Sequence, residues 1–289
     1  MKSFKNKVVA ITGAASGIGR ATAVLVAKLG AEVAICDVDE RGLEETATQC
    51  SLSGARVSTR RVDVSDRQAV YDWAEYVVQQ HGQVHVIVNN AGVALSATVA
   101  DMSYEDFEWL MGINFWGVVH GTKAFLPHLR RAGEGAIVNV SSVFGLIAVP
   151  TQSAYNAAKF AVKGFTEALS EELAVEGANI SVTCVHPGGI KTNIARNARV
   201  TENPGIVDGK SAKEFEKTFV TAPDQAAASI VKAIVRSSRR LLIGPDAIAI
   251  DLMQRVLPTA YQGLLIALVR RRRNKWLSKT EPATDPTGS

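Results

Sequence analysis

The sequence predicts an α/β protein built on one doubly wound parallel sheet of about seven strands, in three α/β/α layers. Three observations carry that prediction. Short Val- and Ile-rich runs read as continuous apolar segments rather than alternations, as strands buried on both faces do. They alternate with helical patterns long enough to connect parallel strands. The first run passes straight into a glycine-rich turn and then a helix, the arrangement with which a dinucleotide-binding sheet opens.

In order, the strand-like runs are KVVAIT (7–12), EVAIC (32–36), RVSTRRV (56–62), VHVIVN (84–89), AIVNVS (136–141), ISVTCV (180–185) and RLLIG (240–244). Helical patterns fall between them at 17–30, 40–50, 66–81, 104–131, 153–176 and 224–237. The right-handed crossover rule sets the hand of the sheet. No internal repeat or Gly/Ser/Pro linker divides the chain, so residues 1–289 are expected to form a single domain. Two regions break the rhythm. The polar stretch 189–222, with Ile194, Phe215 and Phe219, is expected to form a flap over the substrate, and 245–277 a helical C-terminal extension. The tail from Glu281 to Ser289 is expected to be disordered.

Composition narrows the function. With 47% hydrophobic and 21% charged residues in 289, the chain is neither disordered nor fibrous. The net charge of +4 is local: Arg270, Arg271, Arg272, Arg273 and Lys275 account for five positive charges, and without them the chain stands at −1. A nucleic-acid partner is therefore not expected. Cys36, Cys50 and Cys184 suit neither a disulfide framework nor a C-x-x-C motif. The five histidines show no ligand spacing, so no metal is expected. The start of the chain lacks the pattern of a signal peptide, and Val256 to Val269, 14 residues with Pro258 and Gly263, is too short to cross a membrane. A cytoplasmic protein is expected.

The turn Thr12-Gly13-Ala14-Ala15-Ser16-Gly17-Ile18-Gly19 has the spacing to bind a pyrophosphate. Glycines let the backbone approach closely, and the following helix offers unpaired N–H groups and a positive dipole end. Eighteen residues after Gly19, the second strand ends in Asp37. A carboxylate there can accept hydrogen bonds from the adenosine ribose and repel a 2′-phosphate, which predicts NAD over NADP.

Tyr155 and Lys159 lie four residues apart on one helical face, after a strand whose end carries Ser141 and Ser142. Ligands of open α/β sheets bind at the carboxyl ends of strands. An ammonium and an oxidised nicotinamide together favour the phenolate, so the tyrosine pKa is expected to fall by roughly three units from about 10. Ser142 is placed to hold the substrate oxygen.

From about residue 7 to 244 the chain resembles the short-chain dehydrogenase/reductases, in their shorter single-domain branch with a Rossmann fold. The resemblance rests on Thr12-Gly13-(x)3-Gly17-Ile18-Gly19, Asp37, Asp63-Val64, Asn89-Asn90-Ala91-Gly92, Asn114, Ser142, Tyr155-(x)3-Lys159 and Pro187-Gly188, in that order. It implies that Tyr155 is the general acid/base and that Lys159 binds the nicotinamide ribose and lowers the tyrosine pKa. Ser142 would orient the carbonyl or carbinol, and Asn114 would hold a relay water. Ser141 stands one residue too far from Tyr155 for that role. For the cofactor, the resemblance implies Gly13, Ser16, Gly17, Ile18 and Gly19 at the pyrophosphate, Asp63 and Val64 at the adenine, and Asn90, Ala91 and Gly92 at the ribose and nicotinamide. Pro187, Gly188 and Thr192 would shape the carboxamide pocket. Asn89 and Thr12 read instead as structural residues holding strand and turn. A homotetramer or dimer through the long helices 104–131 and 153–176 is also implied.

The apolar run 143–150 and Val93, Ala94 and Leu95 favour a lipophilic alcohol or ketone if they line the pocket mouth, and are packing residues if they do not. The C-terminal apolar and basic segment fits peripheral contact with an anionic membrane, or a cover over the pocket or a neighbouring subunit. Interconversion of a secondary alcohol and a ketone with NAD is the expected activity. Dehydration or epimerisation with retained NAD, and a dinucleotide sensor with little turnover, are the rivals.

Overall fold

The computed structural model describes residues 1–192, 194, 197–201 and 220–280. The predicted flap residues Phe215 and Phe219 and the tail 281–289 lie outside the described residues.

The chain alternates strand and helix: β1 (Val8–Thr12), α1 (Gly17–Lys28), β2 (Glu32–Asp37), α2 (Glu40–Ser51), β3 (Val57–Arg61), α3 (Arg67–His81), β4 (Val86–Asn89) and the short β5 (Leu95–Ser96). Then come α4 (Tyr104–Met111), a π-helical turn (Gly112–Trp116), α5 (Gly117–Ala132), β6 (Gly135–Val140), a 3-10 turn (Val143–Gly145), α6 (Ser153–Val175), β7 (Ile180–Pro187) and β8 (Arg199–Val200). Three helices and a strand complete the described chain: α7 (Pro223–Val235), β9 (Arg240–Ile243), α8 (Pro245–Val256) and α9 (Tyr261–Thr280).

Seven strands form one sheet in the order β3-β2-β1-β4-β6-β7-β9. Every neighbouring pair is parallel. The order reverses between β1 and β4, so the loops after those two strands diverge and leave a crevice at their carboxyl ends.

The continuous apolar runs find their reason in two cores. Val9, Ile11, Val33, Ile35, Val86 and Val88 face one layer with Val26 of α1 and Ile230 of α7. The alternate residues Val8, Ala10, Ala34 and Ile87 face the other, with Trp73 of α3, Phe125 and Leu129 of α5, and Leu173 of α6. Both faces are therefore covered. Trp73 and Phe125 meet edge to face with ring centroids 5.0 Å apart, and removing the Phe125 ring should cost about 3–5 kcal/mol.

The structure departs from the sequence expectations in three places. The helical pattern 104–131 is not one α-helix: the π-helical turn at Gly112–Trp116 separates α4 from α5, and it carries Asn114. β3 is an edge strand, so Ser58, Arg60 and its neighbours need only half-burial, unlike the fully buried strands around it. β5 and β8 form a second, two-stranded parallel ladder with no apolar run to announce it.

Candidate active site

The turn after β1 is held by side chains from the neighbouring loop. Thr12 Oγ1 accepts hydrogen bonds from the backbone N–H groups of Asn90 and Ala91, both at 3.0 Å. Asn90 Nδ2 donates to the carbonyls of Thr12 and Gly13, also at 3.0 Å. Gly13 adopts φ +65°, and a Cβ there would lie 2.7 Å from Ala91 Cα, so the two turns touch because neither carries bulk. At Gly19 a Cβ would sit 2.2 Å from the Gly13 carbonyl oxygen. α1 then opens with Ser16 as its N-cap residue, with no side-chain capping bond and no acidic residue in the first turn. No side chain caps its first N–H groups, an arrangement that suits an anionic ligand.

Asp37, at the end of β2, closes one side of this turn. Its Oδ2 accepts from Ala15 N at 3.0 Å, and its Oδ1 from Val38 N at 2.8 Å and Asp39 N at 3.1 Å. Asp63 Oδ1 accepts from the Ser65 backbone N–H and hydroxyl at 2.9 and 2.7 Å. Val64 is buried against Gly117, where a Cβ would come within 2.7 Å of Val64 Cγ2. Beyond β7, Thr192 reaches back across the sheet: a Cβ at Gly17 would meet Thr192 Cγ2 at 3.0 Å. Gly13, Gly17, Gly19, Asp37, Asn90, Ala91 and Thr192 are thus brought together around one turn. An uncapped helix start, close-packed glycines and a fixed carboxylate at the neighbouring strand end fit a dinucleotide.

Ser142, Tyr155, Lys159 and Asn114 gather at the same end of the sheet. Ser142 follows β6, and its Oγ accepts from Phe144 N at 3.1 Å, which caps the 3-10 turn. Ser141, its neighbour, instead donates to the Lys159 carbonyl at 2.8 Å and ties β6 to α6. Lys159 is buried, with Nζ donating to the Val140 carbonyl at 3.0 Å and lying 5.6 Å from the centre of the Tyr155 ring. Asn114 is buried too, and makes a reciprocal pair with Val93: Oδ1 accepts from Val93 N and Nδ2 donates to Val93 O, each at 2.8 Å. Gly92 packs over both, since a Cβ there would be 3.2 Å from Asn114 Oδ1 and 3.7 Å from Lys159 Nζ. The π-helical turn is the local feature that brings Asn114 inward at this point.

The expected fall in the Tyr155 pKa needs an oxidised nicotinamide beside the phenol, and the protein by itself sets the value from which that fall would start. The protein alone does not lower its pKa; burial pushes the phenol up to about 12, while a hydrogen bond with Ser142 opposes the rise. Burial also pushes Lys159 down to about 8. The ammonium bonds to the Val140 carbonyl and lies over the tyrosine ring, so it is no direct counter-charge to a phenolate here. The tyrosine is therefore neutral in the free protein.

Several supporting residues were missed in the sequence. His186, immediately before Pro187, is fully buried, and its Nδ1 donates to the Ser142 carbonyl at 3.1 Å. Burial lowers its pKa to about 4, so the ring is neutral, and its Nε2 has no partner among the described residues. Asp246, near the start of α8, accepts from Gly189 N at 2.6 Å and occupies the space where a Gly188 side chain would stand. Its place after Gly244-Pro245, at a helix start, was the available signal. Arg199 in β8 donates to Asp106 at 2.8 Å and stacks its guanidinium 3.6 Å from the Trp109 ring centre. With Arg199 N bonded to the Ala94 carbonyl at 3.0 Å, it fastens β8 to the loop before β5 and to α4. No signal in the sequence joins Arg199 to α4.

The apolar loop residues divide. Val143, Leu146, Ile147 and Leu95 are buried, Leu95 in a cluster with Leu110, Ala154 and Ala158, so they pack the scaffold. Phe144 meets Tyr155 edge to face, with ring centroids 6.2 Å apart. Asn89 and Thr12 are structural, as read: Asn89 Nδ2 donates to Thr122 at 3.2 Å and Asn139 at 2.8 Å.

Comparison with known proteins decides the family. The family model described as short chain dehydrogenase matches residues 7–203. The chain belongs to the short-chain dehydrogenase family. It is 47% identical to SadH of Mycobacterium tuberculosis over 276 residues, 94% of this chain and 98% of that protein. It is 32% identical to estradiol 17-beta-dehydrogenase 11 of Macaca fascicularis over 275 residues, 94% of this chain and 85% of the other. A short-chain dehydrogenase/reductase from Burkholderia phymatum, solved in complex with NAD, superposes with a TM-score of 0.79 at 29% identity, covering 100% of both chains. This short-chain dehydrogenase is therefore an oxidoreductase by family, on the seven-stranded parallel sheet expected.

Proposed function

We propose that the protein is an NAD(H)-dependent oxidoreductase that interconverts a lipophilic secondary alcohol and its ketone. The observation that carries the reading is the convergence of Ser142, Tyr155, Lys159 and Asn114 beside Gly92, in the crevice that the glycine turn opens. A bound dinucleotide supplies the acceptor or donor of hydride. The chain does the rest. Ser142 Oγ and the Tyr155 hydroxyl hold the substrate oxygen between them, and Tyr155 gives that oxygen a proton in reduction or takes one in oxidation. Lys159 anchors a ribose and contributes positive charge, and Asn114, through its bond to Val93, holds the π-helical turn open for a relay water. Gly13, Ser16, Gly17, Ile18 and Gly19 take the pyrophosphate, and Asp37 takes the adenosine ribose. Asp63 and Val64 flank the adenine, Asn90, Ala91 and Gly92 line the nicotinamide ribose, and Pro187, Gly188 and Thr192 shape the carboxamide side.

Asp37 supports NAD over NADP: its carboxylate is fixed by three backbone N–H groups and would repel a 2′-phosphate. Phe144 beside Tyr155 supports an apolar substrate, and a relative named for estradiol points to the same class. Exposed Trp116 and Phe160, on the two segments expected to carry subunit contacts, support a homo-oligomer.

The test is NADH formation from NAD and a panel of hydrophobic secondary alcohols, sterols included, with Tyr155→Phe beside the wild type. Turnover that falls at least about 100-fold in the variant, with NADH binding retained, supports the assignment. Binding of NADH without turnover of any alcohol refutes it in favour of a sensor.

A further inference from the structure

The C-terminal helices present a surface that the oxidoreductase chemistry does not use. α8 is pinned to the sheet by its inner side: Ala247 is buried, and Asp251 receives Arg240 at 3.1 and 2.5 Å and Arg255 at 3.1 Å. Its outer side carries Ile248, Leu252 and Val256, four residues apart, exposed by 59%, 61% and 67%. A regular apolar stripe left in water is unusual on a protein that has no use for it.

α9 continues the pattern. It is fastened at its first residue, where the buried Tyr261 hydroxyl accepts a hydrogen bond from Ala148 N at 3.4 Å, in the loop that follows Ser142. Leu264 and Leu268 then stand 54% and 59% exposed on one face. One turn beyond, Arg270, Arg271 and Arg273 are exposed, and none makes an ion pair among the described residues. Charge is sharply divided along the chain. Residues 252–280 carry seven basic side chains and no acidic one, which leaves the remainder at −3 against a total of +4.

We infer that α8 and α9 form a docking surface for an anionic lipid bilayer. The apolar stripes would enter the acyl boundary and the arginines would meet the headgroups. Charge selects this occupant: two such surfaces would repel each other, which disfavours a second copy of the chain, and the apolar stripes have nothing to contact on a nucleic acid. No described helix is long and apolar enough to cross a membrane, so the contact is peripheral. Tyr261 joins the surface to the loop beside Ser142, which places the site next to the layer where a lipophilic alcohol concentrates. The docking itself does not depend on the proposed turnover.

The test is co-sedimentation of the full chain, without cofactor or substrate, with vesicles of phosphatidylcholine alone or with about a third phosphatidylglycerol. The protein should pellet with the anionic vesicles, and high salt should release it. The triple variant Arg270→Glu, Arg271→Glu, Arg273→Glu should bind at least about 100-fold more weakly, and Leu264→Asp with Leu268→Asp at least about tenfold. Both variants should keep the thermal midpoint of the wild type. Wild-type protein that stays in the supernatant overturns the inference, as does equal binding by the charge-reversed variant. Vesicle-free self-association abolished by the leucine changes assigns the surface to a second copy and also overturns it. Because no turnover is read, failure here leaves the alcohol–ketone assignment untouched.

Discussion

Lys159 gives the most discriminating prediction, because its burial sets stability and activity against each other. Its side chain is 3% exposed, and burial lowers its pKa from 10.5 to about 8. The shift of roughly 2.5 units corresponds to about 3 kcal/mol against folding wherever the amine is charged in both states. The hydrogen bond to the Val140 carbonyl returns about 1 kcal/mol. Lys159→Met keeps the volume and removes the buried charge, so the cofactor-free variant should be about 2 kcal/mol more stable than wild type at pH 7. The sign follows from linkage. A depressed lysine gives stability that is present above the unfolded pKa and lost as pH falls through the folded one, so the wild type regains its deficit between pH 8 and 10.5. The advantage of the variant should shrink over that interval and vanish above it. Urea unfolding of both proteins from pH 7 to 11 measures this, with alcohol oxidation assayed in parallel. Activity should fall at least about 100-fold. A variant that is less stable at pH 7, or whose advantage does not change with pH, refutes the burial argument.

Further predictions concern the crevice and its supports. Asp37→Ala should lower the ratio of kcat/KM for NAD to that for NADP at least about tenfold, and a wild type that prefers NADP would contradict the cofactor reading. It should also lose about 1–2 kcal/mol of stability, because three backbone donors lose their acceptor. Asp246→Ala frees Gly189 N and should raise KM for the cofactor several-fold with little change in kcat; an unchanged KM separates Asp246 from the site. Arg199→Ala should move the thermal midpoint by about a degree at most, since the ion pair with Asp106 is half-exposed, yet raise KM for the alcohol several-fold. A pH-rate profile for oxidation should show activity rising with an apparent pKa well below the value of about 12 that burial imposes on Tyr155 in the free protein. A profile still climbing at pH 11 would mean that bound cofactor does not supply the missing charge.

Much of the architecture was legible because its determinants are local. The seven strand-like runs correspond to the seven strands of the large sheet, and the five inner ones are mostly apolar because both of their faces are buried. Tyr155 and Lys159 share a face because helical geometry places residues four apart together. The resemblance to the family singled out Ser142 over Ser141, and the two hydroxyls have different partners.

What tertiary structure alone decided is where long-range packing outweighs the local signal. The pattern 104–131 reads as one helix, yet the reciprocal bonds between Asn114 and Val93 accompany a π-helical turn that no propensity announces. His186 and Asp246 hold the Ser142 carbonyl and the Gly189 amide from 44 and 57 residues away, so neither shows in a motif window. The starting point of the Tyr155 pKa was not legible either, because the fold desolvates the phenol, which raises it, and leaves the lysine over its ring. Composition and periodicity determine which residues must be inside and which elements they form. Desolvation, and the contact of groups far apart in the chain, exist only once the sheet has closed over them.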